Sequence, residues 1–370
     1  MDRGGPQGVD LLLKQRRFWL GLVVSLLFLY LFLQRVDFAA TGRALAQASY
    51  IYLIPAVAVY FGAVWFRALR WRFLLQPLKE TSTRRLYPVV VIGYMANNLL
   101  PVRLGELVRA YFLGTKENIS KTAALATIAV ERVFDGIALL FFMAAVTPFI
   151  SLGSFLNAFA GGSGIPVGWF VALLVAPFGV VLTALLVVSG SLVVRQKLVG
   201  LAWRLPTRVA NRAAGLVELF IAGLAVLRSP WRLLGIFVLS LPVWLAEAAM
   251  YLLIGYSFGL EATLGYPLAL AVFLLVTSAA NLVLILPSSQ GGVGPFEWAA
   301  KTALVFFGVA DASATAYAIV LHAALLIPVI AMGLLFLWTE NLSLADLTRE
   351  RLTLKGAPSQ AAPGRAPDEV

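Results

Sequence analysis

Ionisable and amide side chains are scarce in this sequence, and most of those in its apolar stretches gather at three places. Asn97, Asn98, Arg103, Glu106 and Arg109 fall within thirteen residues, together with Pro101 and Gly105. Glu131, Arg132 and Asp135 follow in one stretch. A late stretch runs from Asn281 through Pro287, Gly291, Gly292 and Gly294 to Glu297. The surrounding sequence is apolar enough for lipid. An uncovered charge or open backbone group is costly there, so such segments persist only where protein or a water-filled cavity shields them.

The spacing limits the chemistry. Arg103, Glu106 and Arg109 are three apart, which puts them on one face of a helix. Pro101 ends the helix before them, and Gly105 permits close approach of another backbone. A half-helix starting at this break aims its free amides and its dipole at the break, an arrangement that suits an anion such as a lipid phosphate. The alternative is a buried Arg103–Glu106 ion pair that fixes the segment, with Arg109 at the interface. Glu131 and Asp135 share a face, with Arg132 beside them. They either line a cavity that contacts a head group or relays protons, or form a neutralised cluster that locks this span to the first break.

The Gly291–Gly294 run follows an apolar helix and not a strand, so it is no dinucleotide fingerprint. Its glycines suit an unwound turn lined by amides. Glu297 either neutralises Lys301, four residues on, or faces a cavity. Glu247 has no evident partner, and His322 reads as a packed polar residue rather than a proton carrier. The chain has no cysteine and one histidine, which removes disulfides, thiolate nucleophiles and Cys- or His-built metal sites. No cofactor is expected. Without a nucleophile or metal cluster at the breaks, the chain is expected not to be an enzyme. A lipid-phosphate enzyme using the carboxylates as acid and base ranks below the other readings.

The elements that hold these groups follow from composition. Of 370 residues, 61% are hydrophobic and 13% charged, with a mean hydropathy of +0.89. Soluble domains are nearer half apolar and about a quarter charged, so this is an all-α polytopic membrane protein. The net charge of +11 is scattered among apolar segments. It reads as positive-inside bias and attraction to anionic lipid, not as a nucleic-acid site.

Residues 1–17 form a basic cytoplasmic lead-in with no signal cleavage site, and 341–370 form a cytoplasmic tail ending in an Ala/Pro/Gly-rich, disordered segment. Between them, six full spans are expected: 18–33, 50–75, 122–150, 167–194, 233–258 and 312–338. The arginines late in the second span, Arg67, Arg70 and Arg72, are expected to snorkel to the cytoplasmic headgroups. The uncharged stretch 151–165 reads as an external loop, and 209–227 as a helix along the membrane surface.

The two broken segments, 86–113 and 266–308, read as re-entrant hairpins opening from opposite sides. That raises the hydrophobic segments to about eight and makes an inverted repeat. It puts both termini in the cytoplasm, and of 29 Lys and Arg only Arg35 and Arg43 fall in external loops.

The run Asn97-Asn98-Leu99-Leu100-Pro101-Val102-Arg103-Leu104-Gly105-Glu106-Leu107-Val108-Arg109 resembles a signature of the lysylphosphatidylglycerol synthase transmembrane family. So do Ala129-Val130-Glu131-Arg132-Val133-Phe134-Asp135 and Pro287…Gly291-Gly292-Val293-Gly294-Pro295-Phe296-Glu297, the three motifs occurring in the family's order. The resemblance covers roughly 15–340 and implies a flippase-like transmembrane domain over 18–340. In fused members of that family a large soluble carboxy-terminal domain charges the lipid. About thirty residues follow the last span here, too few for such a domain.

What the resemblance implies is therefore movement of an anionic or zwitterionic lipid, or a polyprenyl-phosphate-linked one, between leaflets of a prokaryotic cytoplasmic membrane. No ATP-binding loop is present, so the drive would be an ion gradient, a partner or the lipid gradient. The alternative is a membrane partner of a separately encoded lipid synthase or glycosyltransferase. The partners expected are membrane lipids, with no nucleic acid.

Overall fold

Long runs of apolar residues, started by short polar side chains and stopped by proline or glycine, make this chain helical. The computed structural model describes residues 16–33, 36–100, 104–160, 166–285 and 290–340, and contains no strand among them. Pro101, Arg103, Pro287, Arg35, residues 1–15 and the tail 341–370 lie outside the described residues. The α-helices are α1 (Arg16–Leu33), α2 (Phe38–Gln47), α3 (Leu53–Leu75), α4 (Thr83–Leu99), α5 (Gly105–Glu117), α6 (Lys121–Ala145), α7 (Leu152–Ala160) and α8 (Val167–Gly190), followed by α9 (Leu192–Trp203), α10 (Thr207–Gly223), α11 (Pro230–Ser257), α12 (Glu261–Leu264), α13 (Tyr266–Leu282), α14 (Pro295–Phe306) and α15 (Asp311–Thr339). Side chains of Asp37, Ser82, Ser120 and Ser191 accept from the free amides at the starts of α2, α4, α6 and α9. Asn118 ends α5 in the left-handed conformation.

By length and apolarity, four segments among the described residues can cross a membrane: Tyr50–Leu75, α8, α11 and α15. A fifth is possible if Leu22–Leu33 and α2, bent by 84° at their junction, act as one span. The chain is thus a polytopic helical membrane protein. α6 is long enough at 25 residues, but Glu131, Arg132 and Asp135 sit together in its middle. Its apolarity would suffice, and only these three charges keep it out of a count of spans that admits few charges. The segment expected as an external loop, 151–165, contains the helix α7. Its residues Phe155 and Phe159 stack with each other and reach Phe306 and Trp298 of α14, so aromatic packing orders it. The helix expected over 209–227 is α10, extended by a 3-10 turn at Ala225–Arg228. Gly223 brings it so close to α6 that a Cβ there would lie 2.4 Å from the Ala123 carbonyl oxygen.

Two runs of four helices repeat an order of lengths. α3, α4, α5 and α6 have 23, 17, 13 and 25 residues. α11, α13, α14 and α15 have 28, 17, 12 and 29. Packing follows the same correspondence. α3 lies along α11, α4 against α5 as α13 against α14, and α5 against α6 as α14 against α15. Each run also reaches into the other, with α4 against α15 and α13 against α6. The start of α3 meets the end of α11, where Ser49 N donates to Ser257 O at 2.7 Å, so the two central helices are antiparallel.

At the other end of α3, Lys79 donates to the Glu117 carbonyl at 2.6 Å, and Lys116 pairs with Glu340. The ends of α3, α5 and α15 therefore lie on one side of the bundle, joined by Lys79–Glu117 and Lys116–Glu340.

Candidate functional site

At the first break, one amide ties two helices. The Oδ1 of Asn97, near the end of α4, accepts from Gly105 N at 2.7 Å. Its Nδ2 donates to Glu106 Oε1 at 3.1 Å. Asn97 thus caps α5 from across the break, a task that no side chain at the local cap position, Leu104, performs. The two limbs touch backbone to backbone at their glycines. A Cβ on Gly105 would lie 2.1 Å from the Gly93 carbonyl oxygen.

Beneath this clasp lies a network of paired charges. Arg109 of α5 makes a two-pronged contact with Glu131 of α6, at 3.0 and 2.9 Å. Its guanidinium also stacks 4.2 Å from the centre of the Trp71 ring. Arg70 of α3 donates to Asp135 Oδ1 at 2.7 Å and to Ser240 Oγ of α11 at 2.8 Å, and lies 3.4 Å from Glu131. Arg132 reaches Glu131 at 2.8 Å and Asp135 at 3.3 Å. Arg67 pairs with Glu247 of α11, donates to Tyr94 Oη at 3.1 Å and faces the Trp244 ring at 4.6 Å. Four arginines thus meet Glu131, Asp135 and Glu247, so each buried carboxylate of the cluster is paired, as burial among apolar helices requires.

Two expectations are corrected here. Arg67 and Arg70 do not snorkel: their residues are 4% and 0% exposed, because carboxylates on α6 and α11 pair with them inside the bundle. Glu247 is not alone, since Arg67 is its partner.

At the second break the backbone turns through Gly291 (φ +67°), Gly292 (φ +78°) and Gly294 (φ +98°), a conformation that side-chain-bearing residues rarely adopt. Glu297 Oε2 accepts from Gly294 N at 2.8 Å and so caps α14. Its other oxygen does not neutralise Lys301, which instead pairs with Asp311 at 2.9 Å. Glu297 Oε1 lies 2.6 Å from His322 Nδ1 on α15, and His322 Nε2 lies 3.0 Å from the Gly291 carbonyl oxygen. Asn281, at the end of α13, donates to Tyr251 Oη at 3.1 Å and to Thr277 O at 3.0 Å.

A cavity of about 410 Å³ opens between the two breaks. Of the residues singled out in the sequence, Asn97, Asn98, Glu106, Arg132, Asp135, Asn281 and Gly291 line it. Arg109 and Glu131 are packed behind its wall, and Glu297 is screened by His322. Glu106 and Arg109 diverge, one toward Asn97 and the other toward Glu131, so they share no single charged face. Sequence reasoning missed Arg67, Trp244, Glu247 and His322 as lining residues. Glu247 and His322 each sit within a long apolar helix, and an ionisable group there is a signal in its own right. Trp244 is buried, its ring under the Arg67 guanidinium, and its indole nitrogen has no hydrogen-bond partner among the described residues. Phe178 of α8 packs on Gly136 and closes the cavity on the side of that mostly exposed helix.

The chain is 30% identical over 312 residues to a UPF0104 membrane protein of Methanothermobacter thermautotrophicus, covering 80% of this chain and 85% of that one. It is 26% identical over 364 residues to Glycosyltransferase AglD of Haloferax volcanii, covering 92% of this chain but only 57% of AglD. No solved structure matches. Residues 18–333 match the lysylphosphatidylglycerol synthase TM region, a stretch that takes in both breaks and the charged helix between them, and the chain therefore belongs to that family.

Proposed function

We propose that this protein is a flippase-like lipid translocase that moves an anionic or zwitterionic lipid, including a polyprenyl-phosphate-linked one, between leaflets without altering it chemically. The observation that carries the reading is the cavity of about 410 Å³ that presents Arg67 and Arg132 beside Glu106, Asp135 and Glu247 inside an apolar bundle. Charges of both signs in a membrane-embedded pocket suit a zwitterionic or phosphate head group, while the tails stay in lipid.

In this reading α1, α3, α6, α8, α11 and α15 are the six spans. The pairs α4–α5 and α13–α14 are re-entrant hairpins opening from opposite sides, and the matching helix lengths and packing support an inverted repeat. The site comprises the cavity residues named above together with Arg103 at the first break. In this reading the ends of α3, α5 and α15, which carry Lys79 and Lys116, face the cytoplasm of a prokaryotic cell, and both termini lie on that side.

Two measurements test this. In proteoliposomes, wild-type protein is expected to make a labelled phospholipid accessible to an external quencher. Arg132→Gln is expected to slow that step at least about tenfold while melting near the wild-type temperature, because its half-exposed guanidinium faces the cavity. Labels that stay on their original leaflet across several head groups would falsify translocation. For topology, the native chain carries no cysteine, so a single one at Lys116 is expected to react only with reagent supplied from the cytoplasmic side. Reaction from outside overturns the arrangement.

The similarity to Glycosyltransferase AglD favours a second reading, in which the protein is the membrane partner of a separate glycosyltransferase or lipid synthase. Capture of such an enzyme by the tagged chain, with no lipid movement by the purified protein, would support it.

A further inference from the structure

His322 is the sole histidine of the chain, and both of its ring nitrogens face acceptors. One lies 2.6 Å from a carboxylate oxygen of Glu297, the other 3.0 Å from the Gly291 carbonyl oxygen. A neutral imidazole has one N–H to donate. A neutral ring beside an ionised Glu297 therefore leaves one contact as lone pair against lone pair. The observed geometry is satisfied by an imidazolium with a carboxylate, or by a neutral imidazole with a carboxylic acid. Either way the pair holds one proton more than neutral histidine plus carboxylate.

The first half of the molecule shows what this position does without titration. There, the contact between the short helix after the break and the long helix that follows is Arg109–Glu131, and an arginine does not release its proton in proteins. In the second half the corresponding helices, α14 and α15, meet through Glu297 and His322, a contact that a proton can make or break. His322 and Gly291 also line the cavity, so the pair borders its interior.

We propose that Glu297 and His322 together form a proton-binding site that couples lipid movement to a proton gradient. This rests on the translocation reading above. When the pair releases its extra proton to the cavity, one of the two contacts is lost. The second break is then freed either at the Gly291 carbonyl or at the carboxylate that caps α14. Rebinding a proton restores both.

The surrounding charges leave the role to this pair. On α14, Lys301 is engaged with Asp311 and with the Phe32 carbonyl of α1. From α3 and α11, Arg67 and Glu247 face the cavity already paired with each other, near the phenol of Tyr60. Across the cavity stand Glu106 of α5, held by Asn97, and Tyr94 of α4, held by Arg67. Arg132 and Asp135 of α6 are paired, and α13 contributes the amide of Asn281. On α2, the helix packed on the other side of α15, Asp37 caps its own helix and Arg43 is exposed. Beside the ring itself lies the side chain of Phe296, 4.6 Å between ring centres.

The test uses the full-length chain in proteoliposomes at zero membrane potential. One proton per lipid means that a gradient of one pH unit drives a leaflet ratio of about ten at steady state. Wild type is expected to reach that ratio, whereas Glu297→Gln and His322→Gln reach a ratio near one at any gradient. If wild type equilibrates lipid but the ratio stays at one, proton coupling is overturned and translocation stands. If wild type moves no lipid, translocation falls and the proton site is judged on its own readout. With 15N-labelled histidine followed over about pH 5 to pH 9, the single imidazole signal is expected to respond to pH in wild type and to respond differently in Glu297→Gln. A signal constant over that range, or one indifferent to Glu297, overturns the site.

Discussion

Replacing Glu131 with alanine is expected to destabilise the fold by about 3–5 kcal/mol, the usual cost of removing one partner from a buried ion pair. Three arginines approach Glu131: Arg109 at 2.9 Å, Arg132 at 2.8 Å and Arg70 at 3.4 Å. Arg132 and Arg70 keep Asp135 after the substitution, but Arg109 keeps only the face of Trp71. The loss therefore falls on Arg109, and Arg109→Met with Glu131→Leu is expected to recover most of it. Arg109→Met alone is expected to cost less than Glu131→Ala, since Glu131 retains two cations. Thermal unfolding of the purified chain in detergent or nanodiscs, followed by tryptophan fluorescence, reads all three. If Glu131→Ala leaves the melting temperature unchanged yet stops lipid movement, Glu131 is a head-group ligand and not a fastening.

The second large effect is steric. Gly105→Val is expected to separate α4 from α5 and cost at least the 1–3 kcal/mol typical of overpacking. Its Cβ would meet the Gly93 carbonyl at 2.1 Å and Asn97 Cγ at 2.5 Å. Backbone cannot rotate out of the way as a side chain can. Parting the limbs also strands the Gly105 and Glu106 groups that Asn97 holds, adding about 1 kcal/mol for the lost cap. Gly62 provides the control, because a Cβ there meets nothing within 4 Å and Gly62→Ala, inside α3, is expected to be neutral or to stabilise by up to about 1 kcal/mol. Equal melting temperatures for Gly105→Val and Gly62→Ala would mean that the limbs do not touch as described.

The sequence carried the breaks more legibly than the fastenings. Proline, glycine and amides inside an apolar run leave a local mark, and Asn97, Gly105 and the Gly291–Gly294 turn were found from it. The charges of α6 were equally visible, and their two rival readings divide: Arg132 and Asp135 reach the cavity while Glu131 stays behind it. Partnership leaves no such mark when the partners are far apart along the chain. Arg67 finds Glu247 across 180 residues, and Arg70 finds Asp135 across 65. Three arginines at the end of an apolar helix look alike whether they face headgroups or a neighbouring helix. His322 escaped for a related reason: its role depends on Glu297, 25 residues earlier, pointing at the same ring.

The reciprocal packing of the two halves has a consequence for how the chain is made. The wall against which α4 rests is α15, and the partner of Arg67 is on α11. Both are synthesised well over a hundred residues after the segments that need them. At about 5–20 residues per second, the first half waits roughly ten seconds or more for the counterion of Arg67 and for its outer wall. During that interval Arg67 lacks the carboxylate that α11 will bring, and insertion of α3 must be tolerated with that charge near water or the headgroups. Closure of the polar centre thus waits for α11, and a chain stalled before that helix holds Arg67 without its carboxylate.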